Sequence, residues 1–429
     1  MKLLVFCVDA LCSSDMEQMR ALPGFSRVLT TGSIVEKVQP VFPALTYPCH
    51  TSILTGNYIS RHKICHNEIL ARGCGLNAPW HAMRRDIQCA TLPDFARDNG
   101  LTTCSLSWPV SGGADISMNM PMIVPYNYKG YEPERWLDGA ATKNLMDRYF
   151  YKHGRYIKGP DRSLDLLTMA LALDILEDFP QPDIMLVKMC DLDGARHTYG
   201  VSHPAVEEQL HKHGLELEAI MEALRRKGTL DDTNIVILGD HGMTDISEVL
   251  LLNQLFCQEG FLRADGDGNI TDYDAICHST GLAAYIELRD PNDIDMRLRM
   301  RAFLESLRHD PDIALTTVMC AEEALASFGV EGPFDFIIES SRPMSFGEKL
   351  SKNGYWGSQA AGDHKIGAAT HGGGPVREEL TFFAACGPAV RQGAAVARRP
   401  LVDEAPTLAR MMGFEMHDID GTPILDILR

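Results

Sequence analysis

Four places in the chain set carboxylates and imidazoles beside short apolar runs, at spacings that suit metal chemistry. Asp9 ends the run Leu3–Val8. Asp193 and His197, four residues apart, follow the run Ile184–Met189 within Cys190-Asp191-Leu192-Asp193-Gly194-Ala195-Arg196-His197. Asp240 and His241 follow Ile235–Leu238 within Gly239-Asp240-His241-Gly242, and His371 lies in Thr370-His371-Gly372-Gly373-Gly374, ahead of the run Leu380–Ala385. Singly these are weak signals, because an Asp after a strand is commonly a turn former. Jointly, three carboxylates and three imidazoles make a hard-to-borderline donor set suited to two divalent ions, zinc above all.

A fifth segment offers a nucleophile: Phe42-Pro43-Ala44-Leu45-Thr46-Tyr47-Pro48-Cys49-His50-Thr51-Ser52-Ile53-Leu54-Thr55-Gly56. Pro48 suits the first turn of a helix and Gly56 the position past its end. Thr46 then sits just before the helix N-terminus, where partial positive charge favours a phosphate oxygen. A threonine hydroxyl is a weak nucleophile until deprotonated, and an adjacent metal ion can do that. The same position also suits an N-cap, and this segment alone leaves both readings open.

The elements that must carry these groups read as a parallel α/β sheet. Candidate strands are Leu3–Val8, Thr102–Ser107, Ile184–Met189, Ile235–Leu238 and Leu380–Ala385, alternating with helical stretches at Thr91–Asn99, Ser163–Phe179 and Pro204–Lys227. In such sheets ligands bind beyond the carboxyl ends of the strands, so the acids and histidines should converge there. Residues 261–362 read differently, with loop signals around one helix and two strands. They form an expected inserted cap subdomain, with 1–260 and 363–429 as the catalytic core. The Gly-, Pro- and Tyr-rich section 111–160 reads as a lid or a packing arm.

The order Asp9, P-x-x-T-Y-P with Thr46, H-x-x-x-x-N ending at Asn67, D-x-x-x-H at Asp193 and His197, GDHGM at 239–243 and THG at 370–372 resembles the nucleotide pyrophosphatase/phosphodiesterase family of the alkaline phosphatase superfamily. The resemblance runs from residue 9 to about 390. It implies an alkaline-phosphatase-like α/β fold, a mostly parallel sheet with helices on both faces. It also implies two zinc sites, one of Asp9, Thr46, Asp240 and His241, the other of Asp193, His197 and His371, with manganese as the alternative metal. Thr46 is then the nucleophile, forming a phospho-threonine intermediate. Asn67 and the Tyr47 N–H would donate to phosphoryl oxygens, and the Tyr47 ring would either stack on a nucleobase or form a wall. The implied activity is hydrolysis of phosphodiester or pyrophosphate bonds at alkaline pH, on a small phosphate ester such as a nucleotide.

Several positions blur that picture. Asp193 has the family offset to His197, which leaves Asp191 as a turn or supporting acid. Nucleotide-cleaving relatives carry a second aromatic where this chain has Lys188, so the resemblance does not carry a two-aromatic base clamp over; Lys188 also reads as a charge partner for Asp191. Cys49 stands where such relatives often have Asn and reads as a buried helix thiol. His62 and His66 read as supports for the loop to Asn67, and His278 and His364 as solvated loop residues. Arg196, embedded in a metal motif, has no readable direction. The C-x-P-x-R motif of sulfatases is absent. A phosphomonoesterase or phosphonate hydrolase is the nearest alternative; an inert nucleotide-binding or scaffold relative is one of another class.

Composition bounds the rest. The 429 residues are 45% hydrophobic and 23% charged, as in globular proteins, and 40 Lys+Arg against 58 Asp+Glu leave a net charge of −18. That sign disfavours polymeric nucleic acid and anionic membranes as partners; a homo-oligomer stays open. The 12 cysteines include no C-x-x-C pair and read as reduced thiols of a cytoplasmic protein. No apolar stretch is long enough to span a membrane. The first apolar run meets Asp9 too early for a signal peptide, so it reads as a strand that a ligand role for Asp9 would make indispensable.

Overall fold

The computed structural model describes residues 1–76, 78–123, 132–158, 162–374, 377 and 380–429. Its central sheet has eight strands in the order Ala395–Pro400, Ser33–Gln39, Thr381–Cys386, Thr233–Leu238, Lys2–Val8, Ile184–Met189, Thr103–Leu106, Met118–Met120. The central three pair in parallel, with Leu3 opposite Ile184 on one side and Asn234 on the other. Thr381–Cys386 alone runs against its neighbours, pairing antiparallel with Thr233–Leu238 and Ser33–Gln39. The sheet is therefore mostly parallel, as expected.

Strand periodicity explains the unbroken apolar runs, since both faces are covered. Leu4, Phe6, Val8, Met185, Val187, Ile235 and Ile237 face helices Phe25–Thr31, Leu164–Asp178 and Pro204–Lys227. Their neighbours Leu3, Val5, Cys7, Ile184, Leu186, Val236 and Leu238 face helices Thr46–Thr55, Leu92–Asp98 and Glu404–Met411. Each fully buried large side chain among them contributes ~1.5–3 kcal/mol over its exposed state. The helices begin and end on local chemistry. Ser163 Oγ accepts from Leu166 N at 3.2 Å, and Gly56 and Gly228 close their helices in the left-handed region.

Between 261 and 362 lies a four-stranded antiparallel sheet, Ala275–Ser279, Ala283–Leu288, Phe336–Ser340 and Leu315–Cys320. It shares a core with Met300, Leu304 and Leu307 of helix Ile294–Arg308, while Ala283, Tyr285 and Ile337 pack toward the central sheet. Strand Met344–Gly347 pairs with Glu248–Leu251, which also pairs with Trp356–Gly357. Part of section 111–160 lies outside the described residues. The described part packs: Met118–Met120 extends the sheet, and Leu145, Tyr149 and Phe150 enter the core. None of the 12 cysteines is in a disulfide. Among the described residues no helix is long and apolar enough to cross a membrane.

Candidate active site

The expected acids and histidines meet at the carboxyl end of the central strands. Asp9 follows Lys2–Val8 directly, its N–H donating to Met189 O at 2.9 Å. Asp240 follows Thr233–Leu238 after Gly239, where a Cβ would come within 2.3 Å of Thr381 Oγ1 and 2.7 Å of Leu11 O. Only glycine lets that turn close. Helix Asp191–Tyr199 starts just past Ile184–Met189 and puts Asp193 and His197 on one face, four residues apart. His371 is held by Gly372, whose φ is +88° and whose missing Cβ would lie 1.7 Å from Thr280 O.

Two groups of ligand atoms converge within 4.8 Å: Asp9, Asp240 and His241, and Asp193, His241 and His371. His241 belongs to both, and its ring stacks on His371 at 3.8 Å. His197 Nε2 lies 3.3 Å from Asp193 Oδ1, beside the second group. Thr46 opens helix Thr46–Thr55 as its first residue; the N-cap is Leu45, so the capping reading of Thr46 does not hold. Its Oγ1 lies 3.2 Å from His241 Nε2.

The hydrogen-bond directions decide what these atoms are for. His197, His241 and His371 each turn Nδ1 to a backbone carbonyl, Ala369 O at 2.9 Å, Gly242 O at 2.9 Å and Ala44 O at 2.8 Å. A carbonyl only accepts, so Nδ1 carries the proton and Nε2 presents a lone pair to the site. Facing these nitrogens are Asp9 Oδ1, Asp193 Oδ1 and Asp240 Oδ2, all buried without a hydrogen-bond partner, as is His197 Nε2. Asp240 Oδ2 lies 3.1 Å from both His50 Nδ1 and His241 Nε2 but is properly aligned with neither. Acceptors crowded against acceptors in a buried site call for cations between them. The residues fit a divalent pair.

The electrostatics agree. Burial pushes Asp9 up, and Asp240 adds to it. Burial works against the charged forms of Asp193 and His197 too, but each outweighs it for the other: Asp193 is lowered and His197 raised. Burial, with His241 beside it, pulls His371 down to about 3 and so keeps that imidazole neutral, as a metal ligand must be.

Asn67 Oδ1 accepts from Tyr47 N at 3.0 Å, and its Nδ2 has no hydrogen-bond partner among the described residues. The Tyr47 N–H, expected to face a phosphoryl oxygen, therefore holds Asn67 instead. The Tyr47 ring is 0% exposed and packs edge-on against Trp80 at 5.3 Å. It offers no open face to a nucleobase; of the two readings, the wall fits. Lys188 does not pair with Asp191. Its Nζ lies 2.5 Å from Asp9 Oδ2, while Asp191 pairs with Lys212 at 3.1 Å. Arg196 turns away from the site to Ala10 O and Asp15. Cys49 is buried in its helix. His62 bonds Ser52 Oγ, and His66 reaches Ser279 O at 3.1 Å. His278 is no solvated loop residue: it is buried in a strand, 3.0 Å from Glu287. His364, half-buried, packs on Trp80.

Sequence reasoning missed His50. Its Nδ1 lies 2.8 Å from Thr46 O and 3.1 Å from Asp240 Oδ2, joining nucleophile helix and ligand set. The signal was the four-residue spacing from Thr46, which puts both on one helix face.

Residues 3–318 match the family model described as type I phosphodiesterase / nucleotide pyrophosphatase. The chain belongs to this family. The matched stretch includes Asp9, Thr46, Asp193, His197, Asp240 and His241; His371 lies beyond it and is brought in by the fold. Curated relatives include mouse ectonucleotide pyrophosphatase/phosphodiesterase family member 7, 22% identical over 53% of this chain and 46% of that protein. The bovine family member 3 is 23% identical over 63% of this chain and 27% of its own length. The chain thus spans less than half the length of these relatives. Among solved structures, murine ectonucleotide pyrophosphatase/phosphodiesterase 5 superposes with a TM-score of 0.67 at 16% identity, over 100% of both chains. An inactive threonine-to-alanine variant of it in complex with AMP gives 0.64 at 16% identity, again over 100% of both chains. These are likenesses of fold, the alkaline-phosphatase-like architecture.

Proposed function

We propose that this phosphodiesterase-family chain is a metal-dependent hydrolase that cleaves phosphodiester or pyrophosphate bonds through a covalent phospho-threonine at Thr46. The carrying observation is the set of buried acceptors, three carboxylate oxygens and three Nε2 atoms, facing one another beside the Thr46 hydroxyl. Asp9, Asp240 and His241, with Thr46, would hold one ion, and Asp193, His197 and His371 the other. Divalent ions bound there, zinc by preference for this N/O set, supply Lewis acidity that eases deprotonation of a neighbouring hydroxyl and neutralises phosphoryl charge.

The chain's own residues do the rest. Thr46 Oγ1, its proton passed to solvent water, attacks phosphorus, and the helix N-terminus behind it favours the anionic phosphoryl group. Asn67, fixed by the Tyr47 N–H, turns Nδ2 to a nonbridging oxygen. The leaving alcohol or phosphate departs in line, and water then hydrolyses phospho-Thr46 from the vacated side. Residues 261–362 act as a cap; support for that comes from the bonds Ser279 O and Thr280 Oγ1 make to His66 and Gly372 O at the site's edge. A small phosphate ester of the nucleotide type is the substrate class, in line with the AMP complex of the murine relative. Turnover of bis(p-nitrophenyl) phosphate against p-nitrophenyl phosphate tests this. Preference for the diester supports it, and preference for the monoester favours the phosphomonoesterase alternative.

A further inference from the structure

Lys188 is the one lysine or arginine, among the described residues, that forms an ion pair with a member of the acceptor set. It alternates with Ile184 and Leu186 on the sheet face that carries helix Thr46–Thr55, opposite Cys7 in register and two positions before Asp9 on the neighbouring strand. The side chain is 0% exposed. Its Nζ touches three atoms: Asp9 Oδ2 at 2.5 Å, Cys190 Sγ at 3.1 Å and Met122 Sδ at 3.5 Å. Sulfur accepts weakly, so Asp9 Oδ2 is the only strong acceptor this buried ammonium has among the described residues.

That splits the work of the Asp9 carboxylate. Oδ2 is committed to the lysine, whereas Oδ1 has no hydrogen bond and lies 3.5 Å from His241 Nε2, inside the ligand group. A buried ion pair is a costly way to fill space, and an apolar side chain of similar length would pack there at lower desolvation cost. The pair makes physical sense if its charge and direction act on the neighbouring cation site.

We infer that Lys188 is a positioning residue for the Asp9–Asp240–His241 site: it restricts Asp9 to a single ligand oxygen, and its fixed charge holds down the affinity of the site for its ion. This rests on the two-metal reading above. A free Oδ2 would let Asp9 chelate with both oxygens, and a unit charge removed beside a dication raises affinity ~tenfold or more even at high effective dielectric.

The test is zinc binding to metal-free protein by calorimetry, on wild type, Lys188→Met and Lys188→Gln, with kcat and KM for bis(p-nitrophenyl) phosphate on the loaded forms. Met removes tether and charge; Gln keeps one donor for Oδ2 and removes the charge. Both variants should still take up two ions, one of them ~tenfold or more tighter than wild type. The fall in kcat should be larger for Met than for Gln, with KM little changed. A merely structural lysine would weaken zinc binding when lost. Wild type that takes up two ions, with variants that bind them no more tightly, overturns the role of Lys188 and leaves the metal site standing. Wild type that takes up none overturns both. Failure of both variants to fold, read by thermal unfolding, makes the lysine structural and also overturns the inference.

Discussion

Replacing Thr46 with Ala separates the roles this residue could fill. Leu45 is the N-cap, and the Thr46 side chain makes no capping bond, so the usual loss on removing a cap does not apply. Its hydroxyl makes one side-chain hydrogen bond, to His241 Nε2 at 3.2 Å, in a site where Thr46 is 6% exposed. Losing that neutral bond costs ~1 kcal/mol, a shift of roughly 2 °C or less in a chain of this size. Asp9, Asp240 and His241 still converge without Thr46, and the second group does not involve it, so zinc content should stay near two ions per chain. On the proposed mechanism catalysis depends on the hydroxyl entirely, and removing a nucleophile costs ~10⁴-fold or more in kcat. The assay is bis(p-nitrophenyl) phosphate turnover with zinc content and thermal unfolding measured on the same preparation. Thr46→Ser should recover a large part of the rate. Turnover by Thr46→Ala within tenfold of wild type, at full metal content, would refute nucleophilic attack by this residue.

Asn67→Ala removes the donor proposed to meet a phosphoryl oxygen, together with the acceptor of the Tyr47 N–H. The kcat/KM should fall by ~10²–10³-fold and stability by ~1–3 kcal/mol; a change in stability alone would place Asn67 outside the chemistry. Gly372→Ala forces a Cβ to within 1.7 Å of Thr280 O at a φ of +88°, so it should destabilise by ~2–4 kcal/mol and displace His371. Calorimetry and zinc content should show the two losses together. Burial pulls His62 and His66 down to about 3 from an unfolded value near 6.5. Between those values the unfolded chain binds protons that the folded chain does not, so stability falls as pH drops. The expected loss is about 2 kcal/mol per ring by pH 5. Urea unfolding of metal-free protein at pH 7 and pH 5 checks the sign, and His62→Gln should flatten the slope.

The strands that lead to Asp9, Asp193 and Asp240 were legible because both sheet faces are covered, which leaves a largely apolar run with acids just beyond it. The two strands at one margin of the sheet were not. Ser33–Gln39 exposes Glu36 and Lys37, and Ala395–Pro400 carries Arg398 and Arg399, so neither reads as a buried run. The reversed direction of Thr381–Cys386 is a matter of how the chain returns to the sheet, which local pattern does not encode. At the site, residue types and spacings picked out groups that the fold brings together, yet side-chain direction was hidden. Lys188 lies three residues from Asp191 in sequence, but strand alternation turns it to Asp9, and the start of the next helix turns Asp191 to Lys212. Tyr47 follows Thr46 directly, while helical rotation sends its ring into a cluster with Ile64, Ile87, Val110 and Met122. His50 was legible only through its spacing from Thr46.

Zinc-edge anomalous diffraction from crystals grown with zinc tests the central claim most directly. Two anomalous peaks are expected, one ringed by Asp9, Thr46, Asp240 and His241 and the other by Asp193, His197 and His371. Peaks elsewhere, or none among these side chains in zinc-saturated crystals, would contradict it.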